Sequence, residues 1–304
     1  MKYENQIIQG DALEVLKTIE SNSIDSCITS PPYYGLRDYG VEGQLGLERT
    51  YSEYITRLCV IFEEVKRVLK TGGTIWVNIG DSYSNQKVGN TETRIHKKAV
   101  QDTFKKEKQD IQEKSLLQIP ARFSIEMSRR GWILRNEIIW YKPSCMPASV
   151  TDRFTVDFEK IFFFVKNKNY YFEQQLEPYT EPMNRWGGNK LKATGESMWD
   201  TGTGQTTYRD RDMRPNPEGR NMRCVWEINP KPNPLAHFAT YPEELIETPI
   251  KAGCPEGGII LDPFMGSGTT GWVAKKLNRK YLGIELNPEY IKIANDRLCQ
   301  DILL

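Results

Sequence analysis

The sequence predicts an α/β fold: a mostly parallel sheet with helices on both faces. Short apolar runs alternate with amphipathic helical stretches, the order expected of βαβ units. An apolar run at 258–261 feeds directly into a glycine-rich turn and then a helical stretch. From about 178 to 234 the texture changes to Gly, Pro, Asn and Arg with little periodicity, which marks a loop-rich insertion rather than part of the sheet.

Taken in order, Ile7-Ile8 and residues 24–29 read as strand pieces flanking a helix at about 12–19, which Asp11 can cap. Tyr54, Ile55, Leu58, Ile61, Phe62, Val65, Val68 and Leu69 recur at helical spacing. Gly72-Gly73 is expected to stop that helix before a strand at 74–79. Residues 116–130 read as helix, and 134–141 and 160–165 as strands. After the insertion come a helix from Pro242, a strand at 258–261, a helix after Gly268, a strand at 281–284 and a last helix from Pro288.

Composition removes several function classes. No apolar run approaches the roughly 20 residues of a membrane helix. The opening Met1-Lys2-Tyr3-Glu4-Asn5-Gln6 lacks the apolar stretch of a secretory signal, so a cytoplasmic protein without membrane partners is expected. Six cysteines are scattered without a Cys-x-x-Cys pair and only two histidines are present, so no metal site is expected. Net charge is +1, so any nucleic-acid contact needs local clustering of positive charge. The stretches 82–114 and 185–223 carry such clusters, each interspersed with acids.

Two turns carry the chemistry. Ser30-Pro31-Pro32-Tyr33 follows a strand, at the edge where α/β ligands bind. Its prolines fix the backbone and remove N–H donors, leaving carbonyls to face a ligand. Asp262-Pro263-Phe264-Met265-Gly266-Ser267-Gly268-Thr269 ends another strand and opens a helix, whose N-terminus offers unpaired N–H groups. No Gly-Lys-Ser/Thr follows, so it is not a phosphate loop, and it lacks the dinucleotide Gly-x-Gly-x-x-Gly. Glu285 ends the next strand, about 20 residues on, where an acid can accept both hydroxyls of a ribose.

In this order the two turns resemble those of the β class of DNA amino-methyltransferases, in which the catalytic loop precedes the cofactor loop by circular permutation. The resemblance covers residues 5–80, 115–170 and 235–300. It implies a Rossmann-like methyltransferase sheet and S-adenosyl-L-methionine as cofactor. It assigns residues 1–170 and 235–304 to the catalytic and cofactor-binding domain, 171–234 to target recognition and 82–114 to a basic DNA-clamp loop.

Residue by residue, the resemblance places Ser30, Pro31, Pro32 and Tyr33 at the reaction. Ser30 Oγ and the Pro31 carbonyl accept the two amino protons of the target base, and Tyr33 stacks on that base once it is flipped from double-stranded DNA. Asp262, Pro263, Phe264, Gly266, Gly268 and Thr269 surround the methionine part of the cofactor. Phe238, within the 237–242 segment, walls the methionine end. Glu285, with Asn287 beside it, holds the ribose, and Asp11 meets the adenine or only caps its helix.

Trp186, Trp199 and Trp226, unless core, are offered to DNA. Serine at 30, where many adenine enzymes of the family carry aspartate, points to cytosine N4, with adenine N6 as the alternative. A catalytically inactive DNA-binding relative and an RNA or protein methyltransferase are the readings from other classes. The resemblance leaves a homodimer and a companion restriction endonuclease open.

Overall fold

A computed structural model of the chain describes residues 3–84, 111–178, 216, 218–230 and 241–299. Strand β1 (Gln6–Gln9), helix α1 (Ala12–Thr18) and strand β2 (Ile24–Thr29) open the fold. Helix α2 (Tyr51–Val68) runs into β3 (Leu69–Ile79), followed by α3 (Ile119–Arg129), β4 (Ile133–Tyr141) and β5 (Phe158–Val165). After the short strands β6 (Leu176–Glu177), β7 (Arg220–Asn221) and β8 (Val225–Glu227) come α4 (Glu243–Gly253), β9 (Ile259–Asp262), α5 (Thr269–Lys276), β10 (Lys280–Glu285) and α6 (Pro288–Leu298). No helix among the described residues is long and apolar enough to cross a membrane.

Eight strands form one sheet in the order β1-β10-β9-β2-β3-β5-β4-β8. The first five run parallel, β5 is antiparallel to both β3 and β4, and β8 lies parallel to β4. Alternation along β3 sorts the faces. Ile75 and Val77 join the core with α1, α2 and α3, whereas Thr74 and Trp76 meet Gly253 of α4. Helices therefore cover both faces, as the sequence predicts.

Local chemistry sets the element ends. Thr50 Oγ1 accepts from the Glu53 N–H and caps α2. Arg67, near the other end of α2, donates to the Leu16 and Ile19 carbonyls and so satisfies the end of α1. The expectation that Gly72-Gly73 stops α2 is corrected: the helix ends at Val68 and Leu69 is already extended. Both glycines lie inside β3, where the Gly72 carbonyl accepts from the Tyr171 N–H at 3.0 Å and a Cβ at Gly73 would meet Leu69 and the Lys70 carbonyl at 3.0 Å. Of the tryptophans offered to DNA unless core, Trp226 is core. It is buried in β8, in register with Trp140.

The chain divides into two compact units, one of Met1–Glu173 with Cys224–Leu304 and one of Gln174–Arg223. In the smaller unit β6 pairs antiparallel with β7, and Glu177 accepts from Arg220 and Arg223 at 2.8 and 2.6 Å. Most of the expected clamp loop (85–110), the centre of the expected recognition region (179–215, with Trp186 and Trp199) and the segment 231–240 with Phe238 lie outside the described residues.

One contact positions the functional end of the sheet. Strand order reverses between β9 and β2, which pair in parallel through Ser26↔Ile260 and Cys27↔Leu261. Just beyond, the buried Asp262 carboxylate accepts from Thr29 Oγ1 at 2.6 Å, the Phe264 N–H at 3.0 Å, Tyr241 Oη at 3.2 Å and Thr270 Oγ1 at 2.5 Å. Burial pushes this acid above the usual carboxylate range, and the four donors oppose that shift. Asp262→Asn, which keeps the shape but not the four-fold acceptor, is expected to cost about 1–3 kcal/mol of stability. Asp262→Ala should cost more, and urea unfolding with an unchanged m-value would check both.

Candidate active site

The strand reversal brings together two turns that lie far apart in the chain. Ser30 to Tyr33 leaves the end of β2, Pro263 to Gly268 leaves the end of β9, and both open onto one cleft of about 390 Å³ at the carboxyl edge of the sheet. Edges of this kind, at a strand reversal, are where open α/β sheets hold ligands. Asp11, Ser30, Pro31, Pro32, Tyr33, Pro263, Phe264, Gly266, Thr269, Glu285 and Asn287 all line the cleft.

Two expected cofactor residues sit behind its wall. Asp262 is 1% exposed, and its carboxylate is engaged by the four donors named above. Gly268 makes room for α6: its φ is +82°, and a Cβ there would come within 3.0 Å of Ala294. Gly266, with φ +52°, lies at the cleft itself, and a Cβ there would meet nothing nearer than the Phe264 carbonyl at 4.0 Å.

The cofactor half has the donors and acceptors that an adenosyl amino acid requires. Glu285 accepts from the Gly266 N–H through one oxygen and from the Asn287 N–H through the other, each at 2.8 Å. A carboxylate has about four lone-pair sites, so both oxygens retain capacity for a pair of hydroxyls. Burial raises the Glu285 pKa from its usual value, against the pull of the two N–H groups. Ser267 lines the same cleft with a buried Oγ that has no partner among the described residues. An orphaned buried hydroxyl is costly unless a ligand meets it. Asp11 caps α1 by accepting from the Glu14 N–H at 3.1 Å and still borders the cleft. Asn287 caps α6 through the Glu289 N–H.

The catalytic half is more heavily braced than the sequence suggests. The expectation that the proline carbonyls are left to a ligand is corrected at Pro32, whose carbonyl accepts from Tyr54 Oη at 2.8 Å. No described residue donates to the Pro31 carbonyl. The Tyr33 ring packs so closely on Gly80 that a Cβ there would fall 2.5 Å from it. Tyr33 Oη lies 2.6 Å from Glu159 Oε2 and 3.0 Å from Asn78 Oδ1, and Ser30 Oγ is 3.4 Å from both Tyr33 Oη and Asn78 Oδ1. Asn78 Nδ2 donates to Glu159 at 3.1 Å, and Lys142 pairs with the other Glu159 oxygen. Burial, then the Glu159 charge, hold the Tyr33 phenol well above its usual pKa, so it stays protonated.

Glu159, Asn78 and Lys142 line the cleft without having been singled out in the sequence, whereas Tyr241 falls in the 237–242 segment expected at the methionine end. Asn78 leaves a signal, a polar residue in the apolar strand Thr74-Ile75-Trp76-Val77-Asn78-Ile79. Glu159 and Lys142 leave none, since each is an ordinary charge at the end of a strand until β4 and β5 pair.

Comparison with known proteins fits this geometry. The model of the DNA methylase family matches residues 24–296. The Type II methyltransferase M.XycI of Xanthomonas campestris pv. cyanopsidis is 40% identical over 296 residues, 96% of this chain and 87% of that protein. M.SmaI of Serratia marcescens is 38% identical over 294 residues, 96% and 90% of the respective chains. Two solved structures share the fold. The cytosine-N4-specific PvuII DNA methyltransferase has a TM-score of 0.65 at 20% identity, over 99% of this chain and 88% of that one. A DNA modification methylase from Thermus thermophilus, complexed with S-adenosyl-L-methionine, has a TM-score of 0.59 at 23% identity, over 97% and 93%. The chain belongs to the DNA methylase family: it is a DNA methyltransferase of the N6/N4 class.

Proposed function

We propose that the protein methylates the exocyclic N4 of cytosine in double-stranded DNA, on a base turned out of the helix into the cleft. One observation carries the reading: Ser30 and Pro31, whose carbonyl accepts from no described residue, border the same cleft as the Gly266 turn and Glu285. An amino group conjugated with a pyrimidine ring is a poor nucleophile. Accepting hydrogen bonds from both of its protons, at Ser30 Oγ and the Pro31 carbonyl, favours a tetrahedral nitrogen with a free lone pair. S-adenosyl-L-methionine supplies the methyl group, carried on a positively charged sulfur. Placement and fixed dipoles then supply the acceleration, which is why the braced turn matters.

The other residues bind and orient. Glu285 takes the ribose hydroxyls, Asp11 the adenine, and Pro263, Phe264, Gly266, Thr269 and Asn287 enclose the remainder of the cofactor. Asp262 acts behind them by fixing the turn. Tyr33, with its hydroxyl anchored, presents a ring for the base to stack on. A neutral serine at position 30 favours cytosine, as does the likeness in fold to a cytosine-N4-specific enzyme.

Incubating the protein with duplex DNA and labelled cofactor, then digesting to nucleosides, should yield N4-methylcytosine by mass. N6-methyladenine alone would overturn the base assignment. Ser30→Ala should lower turnover by about 10²-fold or more with cofactor affinity nearly unchanged; equal damage to affinity would contradict the division of roles.

Because the Glu285 pKa is raised, its carboxylate protonates as pH falls while still above the ordinary glutamate range, and an acceptor is lost. Cofactor affinity should therefore weaken on acidification. Glu285→Gln should cost about 1.5–3 kcal/mol, roughly tenfold to a hundredfold in Kd, and should flatten that acid limb in a calorimetric titration.

A further inference from the structure

We propose that Glu159 is a positioning residue that takes up the proton given off by the methylated amino group, acting through Tyr33 and Ser30. The inference rests on the reading that Ser30 meets the amino group, and it holds for either base. A described path leads away from the base. Ser30 Oγ donates to Tyr33 Oη at 3.4 Å, and Tyr33 donates to Glu159 Oε2 at 2.6 Å. The path thus joins the turn after β2 to the first residues of β5. Asn78 from β3 donates to the same Glu159 oxygen, and Lys142 at the end of β4 pairs with the other.

Chemistry requires such an outlet. When the nitrogen gains its methyl and the carbon–sulfur bond breaks, the bonding electrons leave with sulfur and the nitrogen becomes positive. Its excess proton must depart to restore a neutral amine. Ser30 is the nearest acceptor, but a hydroxyl cannot keep a second proton, so it must release its own. Tyr33 is in the same position, held protonated by its surroundings. The first group on the path able to keep a proton is the Glu159 carboxylate.

The step balances. The amino proton passes to Ser30 Oγ, the Ser30 proton to Tyr33 Oη and the Tyr33 proton to Glu159 Oε2. One positive charge on sulfur and one negative charge on Glu159 disappear together. The Glu159 side chain, 19% exposed, then returns the proton to water. Lys142 is the cation facing Glu159, paired with the oxygen that Tyr33 does not use. The adjacent Lys160 pairs instead with Glu137.

The test is single-turnover methylation of duplex DNA across pH, with cofactor affinity measured alongside. Glu159→Gln keeps the shape but cannot take a proton. It should lose about 10²-fold in rate, retain cofactor affinity and lose the rise of rate on the acid side of the profile. Glu159→Asp should restore part of both rate and limb. A Glu159→Gln enzyme with the wild-type rate, or with a lowered rate on an unchanged pH profile, would reduce Glu159 to a prop for Tyr33 and overturn the proposal. If Ser30→Ala turns over normally, the reading of Ser30 fails and the path with it. If Ser30→Ala is inactive and only the Glu159 variants behave as wild type, the path alone is wrong.

Discussion

The short hydrogen bond from Thr29 to Asp262, between the last residues of β2 and β9, is the constraint on which the site depends. Thr29 precedes Ser30 and Asp262 precedes the glycine-rich turn, so a single buried carboxylate sets the spacing of the two turns. Phe264, Tyr241 and Thr270 converge on it from the turn, the loop before α4 and the first turn of α5. An acid whose oxygens are fully claimed by its own fold has little to offer a ligand. Its contribution is to make the positions of Ser30 and Gly266 interdependent. Methyl transfer needs two reactants held within about 3–3.5 Å of each other, so an error of an ångström at this joint would be felt in the rate.

Most of the fold is legible in the sequence because the sheet is built from segments whose periodicity is local. Ile24–Thr29, Ile259–Asp262 and the stripe on α2 announce themselves from their own residues. The end of α2 does not. Gly72-Gly73 looks like a stop signal, yet both glycines are strand residues, and the Gly72 carbonyl is paired with the N–H of Tyr171, a residue about a hundred positions later. Trp226 misleads for a related reason: in a sequence rich in Arg and Gly it looks like a recognition residue, and only pairing with β4 buries it. Tertiary contacts override the local signal in both cases.

The site divides the same way. The Ser30–Tyr33 and Asp262–Thr269 strings are visible because glycine and proline leave a mark on sequence that is independent of neighbours. Their consequences are only partly visible. Gly268 suggests room for a ligand, but its room is for Ala294 of α6. In the network around Glu159, Tyr33 and Asn78 each leave a mark of their own, but nothing in the sequence joins them to Lys142 and Glu159. Its members come from the turn after β2, from β3, from the end of β4 and from the start of β5, and no spacing rule connects 33, 78, 142 and 159.

That network bears on why a serine serves at position 30. An aspartate there would combine two tasks in one group, accepting the amino hydrogen bonds and keeping the proton afterwards. With serine the proposed tasks separate, and the carboxylate stands two hydrogen bonds behind Ser30, already paired with Lys142 and steadied by Asn78. In that reading the group meeting the base starts and ends neutral, and the negative charge that is neutralised lies on a braced side chain that need not move during the reaction. Such an arrangement is costly to assemble, because Tyr33, Asn78 and Glu159 must all be desolvated and mutually satisfied. Gly80 shows the fold accommodating it, since any side chain at that position would displace the Tyr33 ring from the path.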